Sequence, residues 1–269
     1  MASASDSANE VRSVSKALRL VSALAEAGHD AGVHELARSS RQHAATVHRL
    51  LRTLVAEGVV EQDTGSTRYR LGPLVLRWAD AYTAATELQR VARPLLEGLA
   101  AETGETVHLM VLSGDCGVYV DRVDSMHRLR VATAVGHREP LHCSGVGKAL
   151  LAFMPVEAQV RVVASGLQRY TPRTVTDAET LAAHLARVRD LGYAVDDGEG
   201  VVGVRCVGAP LLGRGGRAVA AISVAAPAAR LPCSAIPGLA ERVVAAAAAI
   251  SCRLGYECPP RDAAPDGHR

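Results

Sequence analysis

Thr46, His48, Arg49, Arg52 and Thr53 are hydrogen-bond donors and cations that recur on one side of a helical repeat. Such groups reach base edges and phosphates. The other side of the same stretch carries Val47, Leu50, Leu51, Leu54 and Val55. This is the i, i+3, i+4, i+7, i+8 spacing of a helix with one face on a core, which leaves the polar face free to read. Ahead of it, Val33, Leu36 and Ala37 are the inner positions of a shorter helix over Val33–Ser39, and Ser40, Arg41 and Gln42 make a polar turn. The spacing predicts a helix-turn-helix. Gly58 suits the left-handed cap of the second helix. Val59–Gln62 and Thr67–Leu71 read as strands around the turn Asp63-Thr64-Gly65-Ser66 and would add a wing. Upstream, Val14, Ala17, Leu18, Val21, Leu24 and Ala25 predict a third helix with Ser13 as its N-cap.

An amphipathic helix with outward arginines is by itself only a solvated surface. The wing and the local charge turn it toward DNA. From Arg38 to Arg77 the basic residues Arg38, Arg41, Arg49, Arg52, Arg68, Arg70 and Arg77 outnumber Glu57, Glu61 and Asp63, although the whole chain is only +2. Counterion release depends on the charges near the duplex, so a local patch suffices. Length allows two domains, since 269 residues exceed one typical unit. Aromatic residues make up only 3% of the chain, which argues against a stacking platform for single strands. The polar opening MASASDSANEVR has no apolar core segment, and the Ala-rich run near Val243–Ile250 is short and flanked by Arg242 and Arg253. Neither reads as a signal peptide or a membrane span, and a cytoplasmic protein is expected. Cys116, Cys143, Cys206, Cys233, Cys252 and Cys258 are scattered without a CxxC pair, so free thiols are expected, with no zinc site and no disulfide framework.

A second chemistry lies at Ser144-Gly145-Val146-Gly147. Ser144 reads as the N-cap of a helix whose free N–H groups and partial positive charge suit a small carboxylate, and Gly145 permits close approach to the backbone. A phosphate loop is excluded, because Ala149 follows Lys148 where Ser or Thr is required. Cys143 with His142 or His108 is a thiol–imidazole combination that a nucleophilic enzyme would need, but no orienting third group can be read. His29, His34, His43 and His48 do not share metal-ligand spacing.

These residues need positioning elements. Residues 1–12 and 259–269 read as disordered, 13–73 as the winged domain, 74–90 as a linker helix and 91–258 as a second domain. In the second domain a helix starts near Pro94, and strands are predicted at Thr106–Leu112, Gly117–Val123 and Leu129–Val135. Helices follow at Ser144–Phe153, Pro155–Ala164 and Asp177–Leu191, the last with Thr176 and Glu179 as a capping box. Strands return at Tyr193–Asp196, Gly203–Leu212 and Arg217–Ala225, with Gly215-Gly216 turning the last pair, and a helix closes the domain from Ile236 to Leu254. The class is α+β with antiparallel strands.

The segments SVSKALRLVSAL, ATVHRLLRTLVAEGVVEQD with RYRLG, PLHCSGVGKALLA, and GYAVDDGEGVVGVRCVGAP followed by AAISVAAP stand in order across about residues 13–256. In these the chain resembles the IclR family of bacterial transcriptional regulators. The resemblance implies a winged helix-turn-helix domain, a linker helix and a GAF/profilin-like effector domain. It also implies a homodimer or dimer of dimers on a palindromic operator of double-stranded DNA, released or engaged by a small carboxylate or aromatic acid. Carried over residue by residue, the effector site falls on Ser144, Gly145, Asp196, Cys206 and Ser223. Ser144, Ser223 and backbone N–H groups could hold a carboxylate, Cys206 could line the wall, and Asp196 could accept from a ligand hydroxyl or serve only as a turn residue. Two departures stand out. Ala225 replaces a second small hydroxyl beyond Ser223, and His43-Ala44-Ala45 replaces the frequent Pro-Lys-Ser before Thr46. The DNA contacts then fall to Gln42, His43, Thr46, His48, Arg49 and Arg52, with Arg68 and Arg70 from the wing. The expectation is a non-enzymatic, ligand-responsive repressor that needs no cofactor and no metal. The alternatives are a DNA-binding module whose second domain only oligomerises, and a cysteine-dependent enzyme.

Overall fold

In a computed structural model, residues 11–85, 87–213 and 215–256 are described, so the two predicted disordered ends fall largely or wholly outside them. The chain divides into two compact units, Met1–Thr86 and Glu87–Arg269.

The first unit is built from α1 (Arg12–Ala27), α2 (Val33–Ser39), α3 (Ala44–Ala56), β1 (Val60–Gln62), β2 (Tyr69–Leu71) and α4 (Leu74–Ala85). Leu20, Leu24, Leu36, Val47, Leu51, Val60 and Tyr69 form its core. Ser13 is not the cap of α1. The Val11 carbonyl accepts the first bonds, from Val14 at 2.9 Å and Ser15 at 3.3 Å, so the helix begins ahead of the serine without a side-chain cap. Val55, predicted inward, is exposed because the buried stripe of α3 narrows to Val47 and Leu51. The turn between α2 and α3 places Arg41 at φ 52°, and the Gln42 amide donates to the Lys16 carbonyl at 3.0 Å, tying the turn to α1. Gly58 adopts φ 74°, as its capping role requires. The wing strands are shorter than predicted. Thr67 sits at φ 56° and donates its N–H to the Asp63 carbonyl, so it belongs to the turn and not to β2.

The second unit runs α5 (Glu87–Thr103), β3 (Thr106–Ser113), β4 (Cys116–Val123), β5 (Arg138–Glu139), α6 (Gly145–Ala152), α7 (Val156–Ala164), α8 (Ala178–Leu191), β6 (Ala194–Asp197), β7 (Val204–Leu212), β8 (Ala218–Pro227) and α9 (Ile236–Arg253). The strands make one antiparallel sheet in the order β5-β4-β3-β8-β7-β6. Alternation gives the sheet two faces. On one, Val107, Leu109, Val207, Ala209, Ile222 and Val224 pack with α5 and α9. On the other, Met110, Tyr119 and Ala221 pack with α6 and α8. By length and mean hydropathy α9 could cross a membrane, but its Leu239, Val243, Ala247 and Ile250 lie in the first of these cores.

Three expectations for this unit are corrected. The helix predicted to start near Pro94 is already formed at Glu87, so Pro94 lies inside α5, while the linker helix predicted over 74–90 is helical at Leu74–Ala85 and again from Glu87. Proline costs a backbone bond inside a helix. The turns before it are retained because Val91 and Ala92 enter the core, the Gln89 amide donates to the Val120 carbonyl at 2.7 Å and Arg93 pairs with Asp121 at 2.8 Å. Residues 129–135 are not a strand: Leu129 and Val135 are exposed, and the free edge of β4 is taken by β5. Thr176 does not cap α8. Asp177 does, accepting the Thr180 N–H at 2.8 Å, while the Thr176 hydroxyl accepts from Arg169. The Gly215-Gly216 turn appears as expected, with φ of 84° and 73°.

Candidate DNA-reading face and effector site

On α3 the side facing away from Val47 and Leu51 presents His48, Arg49, Arg52 and Thr53 to solvent, with Thr46 half-buried at its margin and His43 exposed just before the helix. These donors are brought together on one face. Gln42 stands apart from them, because its amide is bonded to α1. The two wing arginines are also engaged within the unit. Arg68 donates to the Asp30 carbonyl at 2.6 Å and to Glu35 at 3.0 Å, which ties the wing to the start of α2. Arg70 pairs with Glu61 across the β1–β2 ladder at 3.1 Å. Arg70 is the more exposed of the two, so its ion pair is the easier to exchange for a phosphate.

In the second unit, strand register assembles the other site. Asp196 lies opposite Cys206 on the β6–β7 pair, and Ser223 lies between Gly208 and His108 on β7 and β3. All of these belong to the sheet face that carries α6. The Ser144 hydroxyl caps α6 by accepting the Gly147 N–H at 3.1 Å. The close approach expected at Gly145 is made to the protein's own strand: a Cβ there would stand 3.0 Å from the Cys206 carbonyl and sulfur. A Cβ on Gly208 would stand 2.7 Å from the Gly145 backbone. The two glycines therefore let the positive end of α6 press onto β7. Ser144, Gly145, Asp196, Cys206 and Ser223 are all buried.

The site has two chemical ends. Near Gly200, acceptors converge: a Cβ there would lie 3.1 Å from the Cys143 carbonyl and 3.8 Å from both Asp196 Oδ2 and Glu139 Oε1. Burial raises Asp196 to about 6, although its Oδ1 accepts the Glu199 N–H at 2.6 Å and so also holds the turn. Burial, then the Asp196 charge, raises Glu139 to about 7. This end suits a ligand donor. The other end holds Ser223, whose buried hydroxyl sits beside the Cys206 thiol and closes no other hydrogen bond among the described residues. Beside it, burial and then Asp196 push the Cys206 thiol up to about 12. Glu139 also borders a cavity of about 490 Å³ lined by Cys116, Arg138, His142, Gln168 and Tyr170.

Sequence reasoning missed Glu139 as a partner of Asp196, and it missed Lys148. Lys148 is 2% exposed within α6 and makes a close ion pair with Glu199. An Ala-Leu-Leu context around a single lysine was the available signal. The thiol–imidazole alternative finds no support in the geometry. Burial raises Cys143 to about 12, the His142 Nε2 bonds the Gln168 carbonyl at 3.0 Å, and His108 Nε2 bonds Thr133. An unactivated thiol is a poor nucleophile.

Comparison with known proteins decides the family. Residues 13–64 match the IclR helix-turn-helix domain and residues 80–252 match the bacterial transcriptional regulator IclR C-terminal domain. The chain belongs to the IclR family. It is 36% identical over 218 residues to the HTH-type transcriptional regulator BhcR of Paracoccus denitrificans, covering 81% of this chain and 78% of that protein. It is 31% identical over 250 residues to the HTH-type transcriptional repressor AllR of Escherichia coli K12, covering 93% and 92%. Among solved structures, an IclR homologue from Microbacterium hydrocarbonoxydans complexed with 4-hydroxybenzoate is 25% identical, with a TM-score of 0.78 over 90% of this chain and 99% of that one. The protein is therefore an IclR-type transcriptional regulator with a DNA-binding helix-turn-helix unit and the family's C-terminal domain.

Proposed function

We propose that this IclR-type regulator is a repressor whose operator affinity is set by a small organic or aromatic acid held on the polar sheet face beneath α6. The carrying observation is the buried Ser223 hydroxyl beside the positive end of that helix, which among the described residues has only the weakly bonding Cys206 thiol against it. A carboxylate oxygen is the complement such a pair calls for. Asp196 and Glu139 would take a hydroxyl at the far end of the same ligand. That one relative is named a repressor and another homologue binds 4-hydroxybenzoate supports this reading. The chain acts in the cytoplasm as a homodimer or dimer of dimers. Two copies of α3 enter successive major grooves of a palindromic operator through His43, Thr46, His48, Arg49 and Arg52, with Arg70 on the flanking backbone. Linkage requires that an acid which weakens operator binding itself bind the DNA complex less tightly.

The test is binding to DNA from the region upstream of the gene, at two salt concentrations, with and without small carboxylic and aromatic acids. Specific binding altered by one acid supports the proposal. Specific binding indifferent to every acid would leave the C-terminal unit an oligomerisation module.

A further inference from the structure

We infer that His108 reads the effector: with Ser223 it forms a two-point grip on the ligand's carboxylate, and Thr133 holds its ring in place for that purpose. The inference rests on the effector reading above and adds a residue to it.

His108 and Ser223 are cross-strand partners on β3 and β8, and each is 1% exposed. Among the described residues His108 Nδ1 and Ser223 Oγ bond no nitrogen or oxygen, the serine having only the Cys206 thiol, a weak partner, beside it. One such orphan is a local imperfection, but two on adjacent strands, facing the same way, describe a missing partner. Buried polar groups are retained at a cost to stability unless something completes them. Thr106, on the same side of β3, is completed: its hydroxyl donates to the Val131 carbonyl at 3.2 Å.

The imidazole is fixed on its other sides. Thr133 Oγ1 lies 2.6 Å from Nε2, and the Tyr119 ring packs against it with centroids 4.9 Å apart. When Thr133 donates to Nε2, the neutral ring carries its proton on Nδ1, which makes that unpartnered atom a donor on the sheet face shared with Ser223. The ring stays neutral because burial, and next the Arg122 charge across the β3–β4 pair, lower it to about 4. Asp124 opposes this weakly. A neutral N–H and a hydroxyl from facing residues of two adjacent strands suit a carboxylate oxygen. Because Thr133 lies in the segment between β4 and β5, ligand capture through His108 also engages that segment.

Glycolate, glyoxylate and 4-hydroxybenzoate serve as probes, titrated calorimetrically into the full-length protein. For a probe that binds wild type, His108→Leu should weaken binding at least tenfold and leave ligand-free operator affinity unchanged. His108→Gln, whose amide can donate, should recover part of the loss, and Thr133→Val should weaken binding severalfold. Nitrogen NMR of the wild-type histidine side chains supplies a readout that needs no variant: the His108 Nδ1 resonance should shift on saturation. Binding by His108→Leu within twofold of wild type, or an unmoved Nδ1 resonance at saturation, overturns the inference alone. If no probe binds wild type or changes operator affinity, the effector reading fails and this inference falls with it.

Discussion

Replacing Lys148 by Met should be among the most damaging single changes in the C-terminal unit. The ammonium is 2% exposed on α6 and its carboxylate partner Glu199 is 11% exposed, so the pair is shielded from water. Met keeps the helix and the packing volume but strands Glu199, whose Oε2 already has no partner among the described residues. Removing one member of such a pair costs about 3–5 kcal/mol, because an uncompensated charge is left in the interior. For a unit of this size each kcal/mol shifts the transition by about 2–4 °C, which gives a fall of roughly 6–20 °C. Differential scanning calorimetry is the assay, since two units need not unfold together. Trp78 lies in α4 of the other unit, so its fluorescence transition should stay in place. Lys148→Met combined with Glu199→Gln removes both charges and should recover most of the loss. A loss below about 1 kcal/mol for Lys148→Met, or a double variant as unstable as the two singles added, would refute the reasoning.

Other perturbations separate reading from scaffolding. Arg49→Ala and Arg52→Ala should each weaken operator binding, and each that contacts a phosphate should reduce the salt slope by about 1 in fluorescence anisotropy titrations. Arg68→Ala should instead destabilise the first unit by about 1 kcal/mol, followed through Trp78, because its bonds to Asp30 and Glu35 are half-exposed. Glu139 in the folded chain titrates near 7, above the ordinary carboxylate range. The folded state thus holds this proton more tightly than the unfolded chain. Its contribution is fully favourable below the ordinary carboxylate pKa and is lost as pH rises toward 7. Glu139→Gln should therefore raise stability at pH 7.5 by on the order of 1–3 kcal/mol and change little at pH 4. Equal calorimetric shifts at both pH values would contradict that assignment. Ser144→Ala removes the α6 cap and should cost about 1 kcal/mol in the same calorimetric transition.

The helices of the first unit were legible because their signals are local. Val33–Ser39 is recovered to the residue, and Val47 and Leu51 form a buried stripe of α3 inside the wider one its periodicity describes. The same holds for Gly58, for Ser144 as a cap and for the Gly215-Gly216 turn, where one or two residues decide the backbone. Misreadings arose where a distant partner overrules a local preference. Pro94 looks like a helix start, but Gln89 and Arg93 bind β4 and hold the preceding turns in line. Leu129–Val135 has strand composition, but the segment that pairs with β4, at Gly117 and Val118, is Arg138–Glu139. Thr176 and Glu179 have capping-box spacing, yet Asp177 is one residue closer to the helix and its carboxylate takes the Thr180 N–H.

The site was half legible for a related reason. A strand buried on both faces reads as a continuous apolar run, so Val204–Leu212 and Ala218–Pro227 conceal which residues share a side. Polar interruptions mark the parity: Ser223 alternates with Ile222 and Val224, and His108 with Val107 and Leu109. Each interruption alone is compatible with a satisfied core residue. Only the antiparallel register of β3 against β8, with partners more than a hundred residues apart, shows that both lie on one side, where His108 Nδ1 and Ser223 Oγ bond no nitrogen or oxygen among the described residues. The information that distinguishes a ligand site from a polar defect is therefore the coincidence of two orphans in space. It enters with the sheet and not with any segment of the chain, which is why His108 could be seen only once β3 and β8 were paired.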